Sequence, residues 1–356
     1  MAKSSKGRIK MSAEEKQVIA AKKRKIAVLG GGSWGTALAL LLFQKGHDVA
    51  IWELYEEKAE EMRRYRENRK MLPGIRIPEE IDITSNLEKA KDSRDVILIV
   101  VPSHGVRSTT EALKNLLEGN ELIVIATKGI EENTLMRMSE VVEDVTGFDS
   151  SRIVSLVGPS HAEEVSRGLP TTVVAASTSE HSAREVQSIF MTPRFRIYTN
   201  LDVVGVEVGV ALKNVIAIAA GMCDGLGYGD NTKGALLTRG LAEIARLGVR
   251  MGGKLETFSG LAGIGDLITT CISRHSRNRY VGEQIAKGKT LDEVLSSMVM
   301  VAEGVRTTKC AVALSEKYDV EMPIAREVYR ILFEGKPVSK AIDELMLRTP
   351  KPEIWW

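Results

Sequence analysis

Cysteine is scarce: Cys223, Cys271 and Cys310 are the three in 356 residues, far apart and without a CxxC pair. That pattern supports neither a disulfide framework nor a zinc site, and it fits small core residues in a reducing compartment. The five histidines are scattered, with no HExxH or similar spacing, so no metal is expected. No run of 18 apolar residues occurs, so no transmembrane helix and no integral membrane segment are expected. The N-terminus lacks the apolar core of a secretory signal, and Glu14 and Glu15 argue against a transit peptide. Charge of one sign is not in excess either: the formal net charge is +2, which gives no overall basic field for nucleic acid.

That near-neutral total hides an asymmetry. Residues 1–25 carry nine basic and two acidic side chains, a net +7, so the remainder is close to −5. Residues 1–24 read as a solvated basic extension in which Ser12 and Glu15 could cap one short helix. Such a charged segment, poor in aromatics, cannot bury much surface, so residues 1–22 are expected to be disordered and dispensable for catalysis. The rest has the composition of an ordinary globular protein, 44% hydrophobic and 27% charged, and a length that suggests two domains.

The first half alternates short apolar runs with helical patterns. Lys25–Leu29, Asp48–Trp52, Asp95–Val101, Glu121–Thr127, Arg152–Val157 and Thr171–Ala176 are rich in Val and Ile, as strands buried on both faces must be, and Arg194–Tyr198 reads as one last strand. Helical segments fall between them, among them Trp34–Lys45, Glu56–Arg69 and Val106–Leu117. This order predicts an α/β fold with a doubly wound, mostly parallel Rossmann-type sheet. Beyond residue 200 the strand pattern stops. Val203–Met222, Lys233–Met251, Arg277–Lys287, Leu291–Met298, Val305–Lys317 and Ile324–Phe333 all read as helices. The expected division is a dinucleotide-binding domain over 25–202, an all-helical substrate domain over 203–348 and a tail over 349–356.

The first predicted strand runs into Gly30-Gly31-Gly32-Ser33-Trp34-Gly35 and then a helix, which is GxGxxG in its proper setting of strand, turn and helix. Gly30 permits the turn, Gly32 lets backbone approach a pyrophosphate, and Gly35 lets the helix pack on the strand. The phosphates would sit on the helix N-terminus. The second strand ends in Trp52-Glu53, about 20 residues on, where a carboxylate can accept from both hydroxyls of an adenine ribose. The same carboxylate would repel a 2′-phosphate, so NAD(H) is expected to be preferred, with NADP(H) possible.

Ligands of open α/β sheets bind beyond the carboxyl ends of the strands. Lys128 ends one strand there and reads either as a crevice residue or as a solvated loop lysine. Lys213 lies on a helix face formed by Gly209, Val210, Ile216 and Ala217. A lysine there is either snorkelling to the surface or buried beside a partner, with a pKa lowered by desolvation into the range useful for proton exchange. Asp266, after Gly263-Ile264-Gly265, can serve as an N-cap, as the counter-charge of Lys213, or both. The segment from Ser273 to Arg279 supplies three arginines at a helix start, either a basic turn or a phosphate reader.

Together these segments resemble the NAD(P)-dependent glycerol-3-phosphate dehydrogenase family in its bacterial form. The resemblance runs from Lys25 to about Leu347 and rests on Gly-Gly-Gly-Ser-Trp-Gly-Thr-Ala (30–37), Val-Pro-Ser-His (101–104), Ala-Thr-Lys-Gly (126–129), Gly-Pro-Ser-His-Ala (158–162), Leu-Lys-Asn-Val (212–215), Gly-Ile-Gly-Asp-Leu (263–267), Ser-Arg-Asn (276–278) and Val-Ala-Glu-Gly (301–304). It implies interconversion of sn-glycerol 3-phosphate and dihydroxyacetone phosphate, a small phosphorylated three-carbon substrate, in support of phospholipid synthesis. It implies a cytoplasmic homodimer. By the resemblance Lys213 is the proton donor and acceptor. Lys128, Gly158, Ser160, Asp266, Ser276, Arg277 and Asn278 are substrate-binding positions. Ser33, Trp34, Lys128, Ala162, Arg277, Val301 and Glu303 are cofactor-contacting ones. The chain departs from the bacterial pattern at Glu53-Leu54-Tyr55, where relatives often carry a basic or histidine residue and use NADPH, and in its N-terminal extension and Trp355-Trp356 end. A 3-hydroxyacid or 6-phosphogluconate type of dehydrogenase, or a non-catalytic NAD-sensing module, are the alternative readings.

Overall fold

The computed structural model describes residues 22–353. The expectations for the N-terminal extension and for Trp355-Trp356 lie outside the described residues.

Among the described residues, eight strands form one sheet: β1 (Lys25–Leu29), β2 (Asp48–Trp52), β3 (Asp82–Thr84), β4 (Val96–Ile99), β5 (Leu122–Ile125), β6 (Ile153–Val157), β7 (Thr171–Ala176) and β8 (Phe195–Asn200). Their spatial order is β3-β2-β1-β4-β5-β6-β7-β8, so the chain reverses direction across the sheet between β1 and β4. All neighbours are parallel except β6 and β7, which run antiparallel. Val28 of β1 lies beside Ile51 of β2 and Leu98 of β4. Alternate residues feed opposite faces. Val28, Ile51, Leu98 and Val124 join one core cluster, while Ala27, Leu29, Ile97, Ile99, Ile123 and Ile125 join another. Both faces are dry, which is why the strands read as unbroken apolar runs rather than as alternation.

Several details depart from the sequence reading, among them a strand, two helix ends and a helix. β3 has three residues and too little apolar content to announce itself; it is held by pairing with β2. The helix expected over Glu56–Arg69 ends at Tyr65, because Arg66 turns left-handed with φ 49° and the chain leaves the helix axis. The helix expected over Leu291–Met298 ends at Ser296. A final helix, Val338–Met346, was not anticipated.

Among the described residues, helices alone follow β8. Asp202 sets the switch: its carboxylate accepts from the Gly205 N–H at 2.9 Å, the Lys254 N–H at 2.8 Å and the Thr257 hydroxyl at 2.6 Å. The helix Val203–Gly225 starts there and runs through the centre of the helical cluster. It is long and apolar enough to cross a membrane, yet it is buried among the surrounding helices, as a helix apolar on all sides must be in a globular core. The helix Arg277–Ala286 crosses it so closely that a Cβ on Gly282 would lie 1.9 Å from the Ile218 carbonyl oxygen. That contact fixes where Arg277, at the head of the second helix, stands relative to Lys213, in the middle of the first.

Candidate active site

A cleft of about 430 Å³ opens between the carboxyl edge of the sheet and the helical cluster. The glycine-rich turn forms one end. Gly30 has φ +125°, closed to most side chains, and a Cβ on Gly35 would meet the Gly30 carbonyl oxygen at 1.9 Å. At Gly32, by contrast, the nearest atom to an added Cβ is the Met71 sulfur at 3.9 Å. The turn is therefore packed hard on its protein side and open above Gly32. Such a cradle fits a dinucleotide pyrophosphate at the N-terminus of the helix Ser33–Gln44. Glu53 follows β2 and is buried at 9% exposure, its Oε2 so near Gly31 that a Cβ there would be 2.7 Å away. Its position, against the glycine turn, is where a dinucleotide ribose lies in this fold.

At the other end two lysines share one carboxylate. Asp266 Oδ2 is 2.7 Å from Lys128 Nζ, and Asp266 Oδ1 is 3.1 Å from Lys213 Nζ. Lys213 also donates to the Thr270 hydroxyl at 2.6 Å and to Asn214 Oδ1 at 3.1 Å, and Thr270 donates to Asp266 Oδ1 at 3.1 Å. Lys128 donates as well to the Gly158 carbonyl at 2.7 Å, which also accepts from the Ser160 hydroxyl at 3.0 Å. Lys213 is 3% exposed. Burial pushes its pKa down, Asp266 raises it and Lys128 lowers it again, for a balance of about 8. Burial would push the Asp266 carboxyl up, but Lys128 and Lys213 outweigh it and hold the pKa below the ordinary carboxylate value.

Between these ends the helix Arg277–Ala286 points its N-terminus at the cleft, capped by the Ser276 hydroxyl, which accepts from the Arg279 N–H. Arg277 donates to the Val301 carbonyl at 3.0 Å. Asn278 donates to Asn214 Oδ1 at 2.9 Å and accepts from the Gly304 N–H at 2.8 Å, tying the two site-bearing helices to the start of a third. Glu303 opens that third helix, Glu303–Lys317, and its carboxylate accepts from the Ser103 N–H at 2.9 Å in the loop after β4. It thereby links the helical cluster to the sheet across the cleft.

The family models described as NAD-dependent glycerol-3-phosphate dehydrogenase N-terminus and C-terminus match residues 25–183 and 202–343. The chain is 54% identical over 330 residues to a glycerol-3-phosphate dehydrogenase [NAD(P)+] of Prosthecochloris aestuarii, covering 92% of this chain and 99% of that relative. It belongs to the NAD-dependent glycerol-3-phosphate dehydrogenase family. A relative of the same description from Fusobacterium nucleatum is 48% identical, over 93% of this chain and 98% of its own length. Among solved structures, a glycerol-3-phosphate dehydrogenase from Coxiella burnetii superposes with a TM-score of 0.88 at 38% identity, over 92% of this chain and 99% of that one. Membership makes the chain an oxidoreductase dependent on a nicotinamide dinucleotide. It also sets aside the hydroxyacid-type and non-catalytic readings of the sequence.

Against this family frame, the residues singled out from the sequence fall into two groups. Gly32, Trp34, Lys128, Ser160, Ala162, Lys213, Asp266, Ser276, Arg277, Asn278, Val301 and Glu303 line the cleft together. Gly30, Ser33, Gly35, Glu53 and Gly158 do not line it. Gly30 and Gly35 shape the turn, Ser33 meets Met300 Sδ at 3.8 Å, and Glu53 lines a small side pocket that shares Lys58 and Met71 with the cleft. Thr270 and Asn214, the neutral partners of the Lys213 ammonium, were not singled out from the sequence. Thr270 stands four residues after Asp266, one helical turn on, which is the signal that could have found it.

Proposed function

We propose that this chain interconverts sn-glycerol 3-phosphate and dihydroxyacetone phosphate by hydride transfer with a nicotinamide dinucleotide. The observation that carries the reading is the buried Lys213–Asp266–Lys128 cluster, in one cleft with the glycine turn and the Arg277 helix start. When bound, the nicotinamide ring supplies or accepts the hydride. Lys213 holds the proton that goes to the oxygen at C2 as the carbonyl is reduced, and takes it back in the reverse direction. Asp266 keeps the ammonium in place. Lys128 and Ser160 orient the triose, and Ser276, Arg277 and Asn278 receive its phosphate. Gly32, Trp34, Ala162, Val301 and Glu303 line the dinucleotide path, and Ser33 stands beside it at the helix start. The test is NADH oxidation by dihydroxyacetone phosphate; an enzyme that reduces 3-ketoacids and leaves this ketone untouched overturns the reading.

This reading divides the chain between residues 202 and 203, with the sheet part carrying the dinucleotide. It also expects a cytoplasmic homodimer. In support, the three cysteines are free and buried, and Ile264, Ile268 and Ile272, at 38, 41 and 56% exposure, form an apolar stripe at helical spacing.

Two expected results follow from single side chains. Arg277→Ala weakens dihydroxyacetone phosphate by about 30-fold, the loss of hydrogen bonds to a charged group worth about 2 kcal/mol, and leaves unphosphorylated dihydroxyacetone nearly unchanged. Steady-state kinetics on both ketones check it, and equal losses for the two remove Arg277 as phosphate reader. The second result concerns the cofactor. NADH is expected to be preferred to NADPH by about tenfold. Two unit charges about 4 Å apart at an effective dielectric near 20 interact by roughly 4 kcal/mol, and about 1.4 kcal/mol of that suffices. Glu53 is the source of the repulsion, so Glu53→Arg moves the ratio of kcat/KM toward NADPH. A parent that favours NADPH refutes the preference, and an unmoved ratio in the variant removes Glu53 as its cause.

A further inference from the structure

His161 has no part in the chemistry described so far, yet it lines the same cleft. It stands four residues after β6, on the sheet side. Its ring meets that of His275, on the helical side, with centroids 5.9 Å apart and planes inclined at 51°. His275 immediately precedes Ser276, the cap of the Arg277 helix. The imidazole thus stands in the cleft with Arg277, in ring contact with the loop that leads into the Arg277 helix start. Its Nε2 is buried and has no hydrogen-bond partner among the described residues. Buried polar atoms are nearly always paired, so an orphan in a ligand cleft marks a place where a ligand atom belongs.

The kind of atom follows from the charges around the ring. Burial holds the His161 pKa below its ordinary value, and the ammonium groups of Lys128 and Lys213 lower it further, against the opposing pull of Glu163 and Asp266. The ring is therefore neutral near pH 7 and offers one N–H donor and one acceptor nitrogen. The proton-transfer end is already furnished, since Lys213 has Asp266, Thr270 and Asn214 around it. The helix start beside His275 presents N–H groups and a guanidinium, all of them donors. A ligand group that takes donors from several sides at once, and offers none, is a phosphate dianion.

We propose that His161 is a substrate-binding residue that donates a hydrogen bond from Nε2 to the phosphoryl oxygens of the triose, and so helps select the phosphorylated substrate. The inference rests on the proposed reaction for the identity of the phosphate ester. It predicts that the neutral tautomer carrying its proton on Nε2 is the binding form. It also predicts that inorganic phosphate binds to the same group as a competitive inhibitor.

The test compares His161→Phe, which keeps a ring and loses the donor, with His161→Gln, whose side-chain amide returns a donor at similar reach. In His161→Phe, the KM for dihydroxyacetone phosphate and the inhibition constant of inorganic phosphate both rise about tenfold, the loss of one hydrogen bond to a charged group. Turnover number falls by less, and kcat/KM for unphosphorylated dihydroxyacetone falls by less than threefold. His161→Gln recovers most of the phosphate affinity. NADH affinity, read by fluorescence quenching, shows that each variant is folded; if the Phe variant does not bind NADH, His161→Asn replaces it. Unchanged KM and inhibition constant in a folded variant overturn the proposal. So does an equal loss for both ketones, or a Gln variant as weak as the Phe one. A parent enzyme inert toward dihydroxyacetone phosphate instead overturns the proposed reaction, a separate outcome.

Discussion

Lys213→Ala is expected to lower turnover of dihydroxyacetone phosphate by about 10²–10⁴-fold, the range for loss of a positioned general acid. The expectation comes from the electrostatic position of the amine. An ordinary lysine is so weak an acid that it would hold its proton through the reaction, whereas burial brings Lys213 down to about 8. Asp266 prevents a further fall, so the ammonium form still predominates at neutral pH. Ketone reduction needs that form, and its rate therefore falls as pH rises through about 8, while glycerol 3-phosphate oxidation needs the free amine and rises over the same window. NADH affinity should be little changed in the Ala variant, because Lys213 lies at the far end of the cleft from the glycine turn. Turnover within a fewfold of the parent, with the pH limb intact, would show that another group moves the proton.

The difference between what the sequence disclosed and what it withheld has a physical source. β1, β2 and β7 match the expected strand limits to the residue, because each is a continuous apolar run closed by a charged residue, a glycine or a serine. β3 escaped notice because its stability belongs to its pairing with β2 rather than to its own three residues. The form of the glycine turn and the place of Glu53 against it were legible for the opposite reason: both are local chain geometry at fixed spacing. Lys213 announced itself by standing among apolar neighbours, but the other half of its environment did not. Asp266 lies 53 residues downstream and Lys128 lies 85 upstream, and no periodicity reports that three elements bring them to one point. From position alone Asp266 was equally a helix cap or a counter-charge. In the fold its carboxylate makes no cap bond and is wholly engaged with the lysines and Thr270. Burial of His161 Nε2 was invisible for the same reason, since it depends on a loop more than a hundred residues away.

Asp266→Asn should cost stability as well as activity, and the two losses should depend on pH in different ways. The carboxylate is 2% exposed and faces two ammonium groups. Replacing it by a neutral isostere leaves both cations near each other without compensation, and breaking a buried pair in this way costs about 3–5 kcal/mol. Lys128 is 19% exposed and can turn toward water, which places the expected cost near the lower end, about 3 kcal/mol. The sign with pH is fixed by the direction of the Asp266 shift. Its folded pKa lies below the unfolded value, so its stabilisation is present above the unfolded pKa and is lost as pH falls through the folded one. The gap between parent and variant in urea unfolding should thus be full at pH 7 and shrink in acid, below about pH 4. Activity responds through Lys213 instead. Without its main raising partner, that lysine loses its proton more readily, so the decline of ketone reduction moves to lower pH than in the parent. Inorganic phosphate, an anion able to enter the same cleft, should restore part of the lost stability in the variant and add less to the parent. Equal unfolding curves for parent and variant at pH 7 would mean that the lysines are solvated well enough to need no counter-charge. An unmoved pH limb in a destabilised variant would instead leave Asp266 a structural anchor with no hold on the proton of Lys213.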